Sequence, residues 1–288
     1  MPSFASKIWT RVSSLNTSIT GRMKIHNGGN INPVRPYQRD TRLLSIDALM
    51  DRAKVTQFQR DWFRRVNLAV QEHMYGPDYD ASHDYEHCLR VVNIAHRLWK
   101  AEKRSRWARD IDPLVIYTAA LVHDVGDSKY IKPQGGVLAN TAQAKREQQC
   151  NAIRDFLHEQ NCPPQIAGPA AYIASCVSFT CEMEDPETVQ VAIKDFPALR
   201  IVQDADRLDS LGPIGLARCA AYGGVKAQRR NNTILTLIEL VDDRFVHYPK
   251  LMKTQTASKE AKKAWAYMLE FRRGMLAQTD CEALLSSS

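Results

Sequence analysis

The chain has 288 residues, 44% hydrophobic and 25% charged, with a formal net charge of +7. That is an ordinary globular composition, long enough to bury a core without disulfides, and no run nears the roughly 18 apolar residues of a membrane span, so no membrane is expected as a partner. Six of the basic residues (Lys7, Arg11, Arg22, Lys24, Arg35 and Arg39) lie in residues 1–39, which hold no Asp or Glu; the rest is nearly neutral, so no nucleic acid polymer is expected either.

Residues 1–44 read as a basic N-terminal extension. Phe4, Ile8, Trp9, Val12 and Leu15 can share one face of a short helix, as in a mitochondrial transit peptide. Asn27-Gly28-Gly29-Asn30, Pro33 and Pro36 then favour disorder. The seven cysteines, at 88, 150, 162, 176, 181, 219 and 281, show no C-x-x-C pair. An intracellular, reducing location is expected, cytoplasmic by preference, with the mitochondrial matrix as the alternative.

Residues 45–280 read as one all-α domain, followed by a tail over 281–288. Ile46, Leu49, Met50 and Ala53 recur at helical spacing, and Phe58, Trp62, Val66 and Val70 form a stripe within a second helix, Thr56–Met74. Gly76-Pro77-Asp78 breaks it. Helical periodicity resumes over 84–101, 113–124, 141–159, 165–177, 188–194, 199–210, 232–252 and 257–277. Alternating β-branched runs are absent. The longest irregular stretch, Gly126 to Asn140, follows a His-Asp dipeptide, where a long loop is often functional.

Four segments carry the chemistry: Ser82-His83-Asp84-Tyr85-Glu86-His87-Cys88-Leu89-Arg90-Val91; Leu121-Val122-His123-Asp124-Val125-Gly126-Asp127-Ser128-Lys129; Ser178-Phe179; and Gln203-Asp204-Ala205-Asp206-Arg207-Leu208-Asp209. The first, second and fourth set His or Asp beside an apolar stripe. Carboxylates at the edge of a core need a partner. A divalent cation would satisfy them together, since imidazole and carboxylate suit Mn, Fe, Ni, Zn or Mg. A bound metal also acidifies its water and supplies a nucleophile near neutral pH.

The order H … HD … D in a helical chain resembles the HD-domain metal-dependent phosphohydrolase superfamily. The finer likeness is to its bacterial and fungal branch with S-H-D-x-x-H-x-x-R-V, L-x-H-D-x-G-D-x-K, Q-D-A-D-R-L-D and, over Gly212 to Arg218, G-x-x-G-x-A-R. The resemblance spans roughly 45–280 and implies an all-α HD-domain helical bundle. It implies one divalent ion (Mn, Mg, Co, Ni or Fe) held by His87, His123, Asp124 and Asp206. It gives Asp127 the part of holding or deprotonating the attacking water. Lys129, Arg90 and Arg207 are candidates for substrate phosphate, and His83 for substrate contact. Asp206 is preferred to Asp204 for its Ala-Asp-Arg-Leu context, and the two point to different helix faces. The implied substrate is a small phosphorylated molecule, a nucleotide or deoxynucleotide, cleaved at a phosphoester or phosphoanhydride. An HD-fold iron oxygenase and a non-catalytic nucleotide-binding module stand as alternatives.

Blander readings compete at several positions. Ser82 and Asp84 are good N-cap residues, although a His83-Asp84 pair supporting a metal site is the preferred reading. His83 to His87 also spells H-x-x-E-H, an inverted zinc-protease pattern, outweighed here by the other motifs. Lys132, His26, His73, His96, His158 and His247 read as ordinary core or surface residues. Ser178 reads as a helix cap. Gly212-Pro213 and Gly215 read as a turn and a close approach of two helices, and Tyr222-Gly223-Gly224 as the border of a substrate pocket or a helix C-terminus. The C-terminal helices depart from the family, which bears most on substrate choice.

Overall fold

The computed structural model describes residues 45–76, 79–80, 82–126, 141–230 and 233–280. The N-terminal extension over 1–44, the tail over 281–288, Asp127, Lys129, Lys132 and His26 lie outside these. Every regular element among the described residues is helical, as expected of an all-α chain. None of these helices is long and apolar enough to cross a membrane.

Helix α1 (Ile46–Ala53) starts on Ser45, whose side chain accepts from Ala48 N, and stops at Lys54 in the left-handed region. Helix α2 (Gln57–Met74) opens with a capping box, Thr56 accepting from Gln59 N while Gln59 Oε1 accepts from Thr56 N. This satisfies two of the donors that a helix start leaves orphaned. Its buried stripe is Trp62, Phe63, Val66, Val70 and Met74. Phe58, expected on that stripe, is 64% exposed.

Three further helices build the centre. Helix α3 (Tyr85–Glu102) is capped by Asp84. Helix α4 (Pro113–Val122) has Pro113 in its first turn and Asp112 as its cap, and Leu114 and Ile116 to Val122 are all buried. A helix apolar all round belongs inside, and α4 packs against α2 and α3 and against two later helices, α6 (Pro164–Ser175) and α9 (Leu199–Asp209). Helix α5 (Ala142–Glu159) lies on α6, and α9 packs on both α3 and α4. Short helices α7 (Phe179–Glu184) and α8 (Pro186–Asp195) link α6 to α9.

The C-terminal third departs most from expectation. The run 232–252, expected as one helix, is α11 (Thr236–Asp243), a 3-10 turn (Phe245–His247) and α12 (Tyr248–Leu251). Pro249 explains the break: it lacks an N–H, and its ring would clash with the Phe245 carbonyl of a continuous α-helix. Helix α10 (Gly212–Arg230), which lay outside the runs of helical periodicity, continues straight through Gly223-Gly224, which therefore do not end a helix. Helix α13 (Gln255–Thr279) closes against α3, α9 and α10 and is capped by Thr254. Ser178 precedes α7 but makes no side-chain cap bond.

Gly212 and Gly215 do shape the joint between α9 and α10. Gly212 sits at φ +71°, open mainly to glycine. A Cβ on Gly215 would lie 2.1 Å from the Ser210 carbonyl oxygen, which is backbone and cannot swing away. Gly215→Ala should therefore destabilise by about 1–3 kcal/mol, the usual range for overpacking. Gly168→Ala, with nothing within 4 Å of its Cβ position, should be neutral or slightly stabilising. Thermal unfolding of both variants checks this, and equal melting temperatures would contradict it.

Candidate metal centre

Helices α3, α4 and α9 each deliver part of the site. Asp84 Oδ1 accepts from His87 N at 2.8 Å, fixing His87 in the first turn of α3. Helix α4 ends at Val122, with His123 as its C-cap, and Asp124 follows in a turn that reverses at Gly126, φ +68°. That turn is held from outside. Gln149 Nε2 donates to the carbonyls of His123 (3.1 Å) and Val125 (3.4 Å), and the Tyr79 hydroxyl to that of Asp124 (3.4 Å). Helix α9 carries Asp206 and, a turn later, Asp209.

The side chains converge. His87 Nε2 and His123 Nε2 are 3.2 Å apart. Asp124 lies 3.5 Å from each, with Oδ2 towards His87 and Oδ1 towards His123. Asp206 Oδ1 lies 3.4 Å from His87 Nε2 and 3.6 Å from His123 Nε2. Donor atoms of His87, His123 and Asp124 all fall within 4.8 Å of one another, a group that can hold a metal ion.

The other ring nitrogens set the tautomers. His123 Nδ1 is 2.8 Å from the Ala120 carbonyl, which can only accept, so Nδ1 carries a hydrogen. His87 Nδ1 is 2.7 Å from Asp209 Oδ2 and likewise donates. In the neutral rings both Nε2 atoms are then bare acceptors facing each other, with two carboxylates beside them. Asp124 Oδ2 is buried with no hydrogen-bond partner among the described residues. Only a positive charge, a proton or a metal ion, relieves such a cluster.

The ionisation equilibria say the same. Burial alone would lower the His123 pKa, but the charges of Asp124 and Asp206 outweigh it and raise it to about 9. Burial would raise Asp124, yet His123 and His87 pull it down to about 2. Asp206 is likewise held well below the ordinary range, its bonds to both histidines overcoming burial.

Asp209 was not assigned from the sequence. It is nearly inaccessible and accepts from His87 Nδ1, from Arg90 Nε and Nη2 (2.8 and 3.1 Å), and from Arg218 Nη1 (3.1 Å). Burial works against its charge, but His87, Arg90 and Arg218 lower it to about 2. A carboxylate on the far nitrogen fixes a histidine's ring and tautomer. The signal was present: Asp209 follows Asp206 by three residues, on the same helix face.

Several expected residues sit differently. Arg90 is bound in a fork to Asp209, so it supports His87 through that carboxylate. Arg207 is buried, paired with Glu182 and donating to the Leu251 carbonyl. His83 lies ahead of α3 with Nδ1 2.9 Å from Ser82 Oγ, so the H-x-x-E-H pattern does not lie on one helix. Asp84 is the N-cap, the blander of its two readings. Asp204 is turned to the backbone N–H groups of Lys253 and Thr254, which agrees with the preference for Asp206. His96 is a core histidine bonded to the Tyr117 hydroxyl.

Residues 84–211 match the family model of the HD domain. The uncharacterized protein YpgQ of Bacillus subtilis is 26% identical over 199 residues, 68% of this chain and 84% of its own length. The uncharacterized protein L803 of Acanthamoeba polyphaga mimivirus is 27% identical over 164 residues, 54% of this chain and 59% of its own. The solved structure of YpgQ in complex with ADP superposes with a TM-score of 0.52 at 22% identity, covering 75% of this chain and 96% of that one. A Lactobacillus plantarum structure gives 0.53 at 24% identity, covering 78% and 98%. These likenesses show a shared fold.

A folded-state pKa of about 9 for His123, against an ordinary 6.5, stabilises the chelator-treated protein fully below pH 6.5. That contribution disappears as pH rises through about 9. Denaturant unfolding of chelated protein should show stability falling across this window, and His123→Gln should flatten the fall. A wild-type profile level from pH 6.5 to 9 would contradict the proton assigned to this cluster.

Proposed function

With residues 84–211 an HD domain, we propose that this chain is a metal-dependent phosphohydrolase acting on a phosphoester or phosphoanhydride of a nucleotide or deoxynucleotide. The observation that carries the reading is the buried convergence of two imidazole Nε2 atoms and two carboxylates with no hydrogen-bond donor between them in the neutral state. The donor set fits a divalent cation of the Mn, Fe, Co, Ni or Mg kind.

His87, His123, Asp124 and Asp206 are the residues that would hold it. Bound there, the ion supplies Lewis acidity towards a phosphoryl oxygen and an acidified water. The chain's own residues do the rest. Asp209 keeps the His87 proton on Nδ1, so Nε2 stays a ligand atom. Arg90 and Arg218 keep Asp209 ionised. The Ala120 carbonyl does for His123 what Asp209 does for His87. Asp127, three residues beyond Asp124, is the proposed general base, and Lys129 a proposed phosphate contact. Nucleotides are the first substrates to test because the YpgQ structure was solved with ADP.

A screen of nucleotides, deoxynucleotides and phosphometabolites with Mn, Mg, Co and Ni should reveal release of phosphate or pyrophosphate. The double variant His123→Ala, Asp124→Ala should lose all of it. Turnover persisting in that variant would place the active site elsewhere. Nucleotide binding without turnover under any metal would make the chain a binding module.

A further inference from the structure

Arg207, the chain neighbour of Asp206, clamps two other elements onto α9. Its guanidinium pairs with Glu182 of α7 and donates to the Leu251 carbonyl at the end of α12 (3.2 Å). Lys253 completes the clamp, its Nζ 2.7 Å from Glu182 Oε1 and 2.8 Å from the same carbonyl. Held this way, α7 and the 245–251 segment meet each other. The Phe179 ring lies 5.3 Å from the Tyr248 ring and stacks on His247 at 6.2 Å, 20° from parallel.

Arg244 sits at this meeting point. Its Nε donates to the Tyr248 hydroxyl at 2.8 Å, and its guanidinium lies 5.2 Å over the Phe179 ring. One hydrogen bond and one aromatic face thus fix the guanidinium plane. Its two terminal amino groups make no hydrogen bond or ion pair with any described residue. The Asp206 charge acts on both Arg244 and Tyr248, raising the pKa of each. Among the described residues, the other cations expected or found around the centre are committed to carboxylates: Arg90 and Arg218 to Asp209, Arg207 and Lys253 to Glu182.

We propose that Arg244 binds a phosphate group of the substrate, presenting its open Nη1 and Nη2 beside the Asp206 side of the centre; this rests on the phosphohydrolase reading above. A guanidinium is permanently charged, and its planar fork matches two phosphate oxygens. Arg244 is held as a binding group should be, by its Nε and its face, leaving the fork end unspent. The aromatic cradle and the Tyr248 hydroxyl orient it.

Calorimetric titration with ADP, on chelated and on Mn-loaded protein, tests this without relying on turnover. Arg244→Gln should weaken ADP binding about 10- to 100-fold, the loss expected for a charge-assisted pair. One Mn per chain should still bind, and the melting temperature should fall only by the few degrees expected for the lost Tyr248 and Phe179 contacts. Arg244→Lys, which keeps charge but loses the fork, should fall between, and it supplies the comparison if Arg244→Gln does not fold. ADP binding unchanged in both variants would overturn the assignment while leaving the phosphohydrolase reading intact. A wild-type chain that neither binds ADP nor cleaves any phosphorylated compound would remove both.

Discussion

Two imidazole lone pairs 3.2 Å apart, flanked by two carboxylates and shut away from most solvent, cannot coexist without a positive charge between them. Much of the surrounding structure serves that arrangement. The Ala120 carbonyl and Asp209 hold the protons on the outer nitrogens, so the inner ones have no donor to offer. Arg90 and Arg218 neutralise Asp209 from outside. Gln149 and Tyr79 brace the backbone of the His-Asp turn, which Gly126 allows to reverse.

Helix packing brings the groups together from positions 87, 123–124 and 206. The almost entirely apolar α4 is buried among α2, α3, α6 and α9, and this places its C-terminal end against α3 and α9. Polar ligands can stand at such an edge because the burial beneath them is apolar and continuous. A second polar cluster, Glu182 with Arg207 and Lys253, holds the C-terminal elements to α9. Removing Glu182 would leave the buried cations Arg207 and Lys253 without their carboxylate, a severe loss. Arg207 thus links the metal-centre helix to the aromatic cradle around Arg244.

What the sequence made legible follows from local rules. Periodicity placed α2, α3 and α5 within a residue or two, and in the structure Thr56, Asp84 and Thr141 cap their starts. The four converging residues were legible from their motifs. Asp209 was missed, and the partners of Arg90 and Arg207 were not foreseen, because a motif gives proximity along the chain and not which partner an arginine meets. Both arginines found carboxylates from distant segments, 119 and 25 residues away. Arg244 lay in a run expected to be one helix, where the break imposed by Pro249 and the contact with Phe179 were invisible. The glycines of α10 obscured a helix that tertiary packing sustains despite their cost.

The central claim concerns which atoms share one cation. Electron spin-echo spectroscopy of Mn-loaded protein, with histidine carrying nitrogen-15, counts the imidazole nitrogens on the ion. One Mn per chain coupled to two histidine nitrogens, reduced to one in either His87→Ala or His123→Ala, is the outcome expected here. Mn bound with no histidine coupling, or not bound at all, would contradict it.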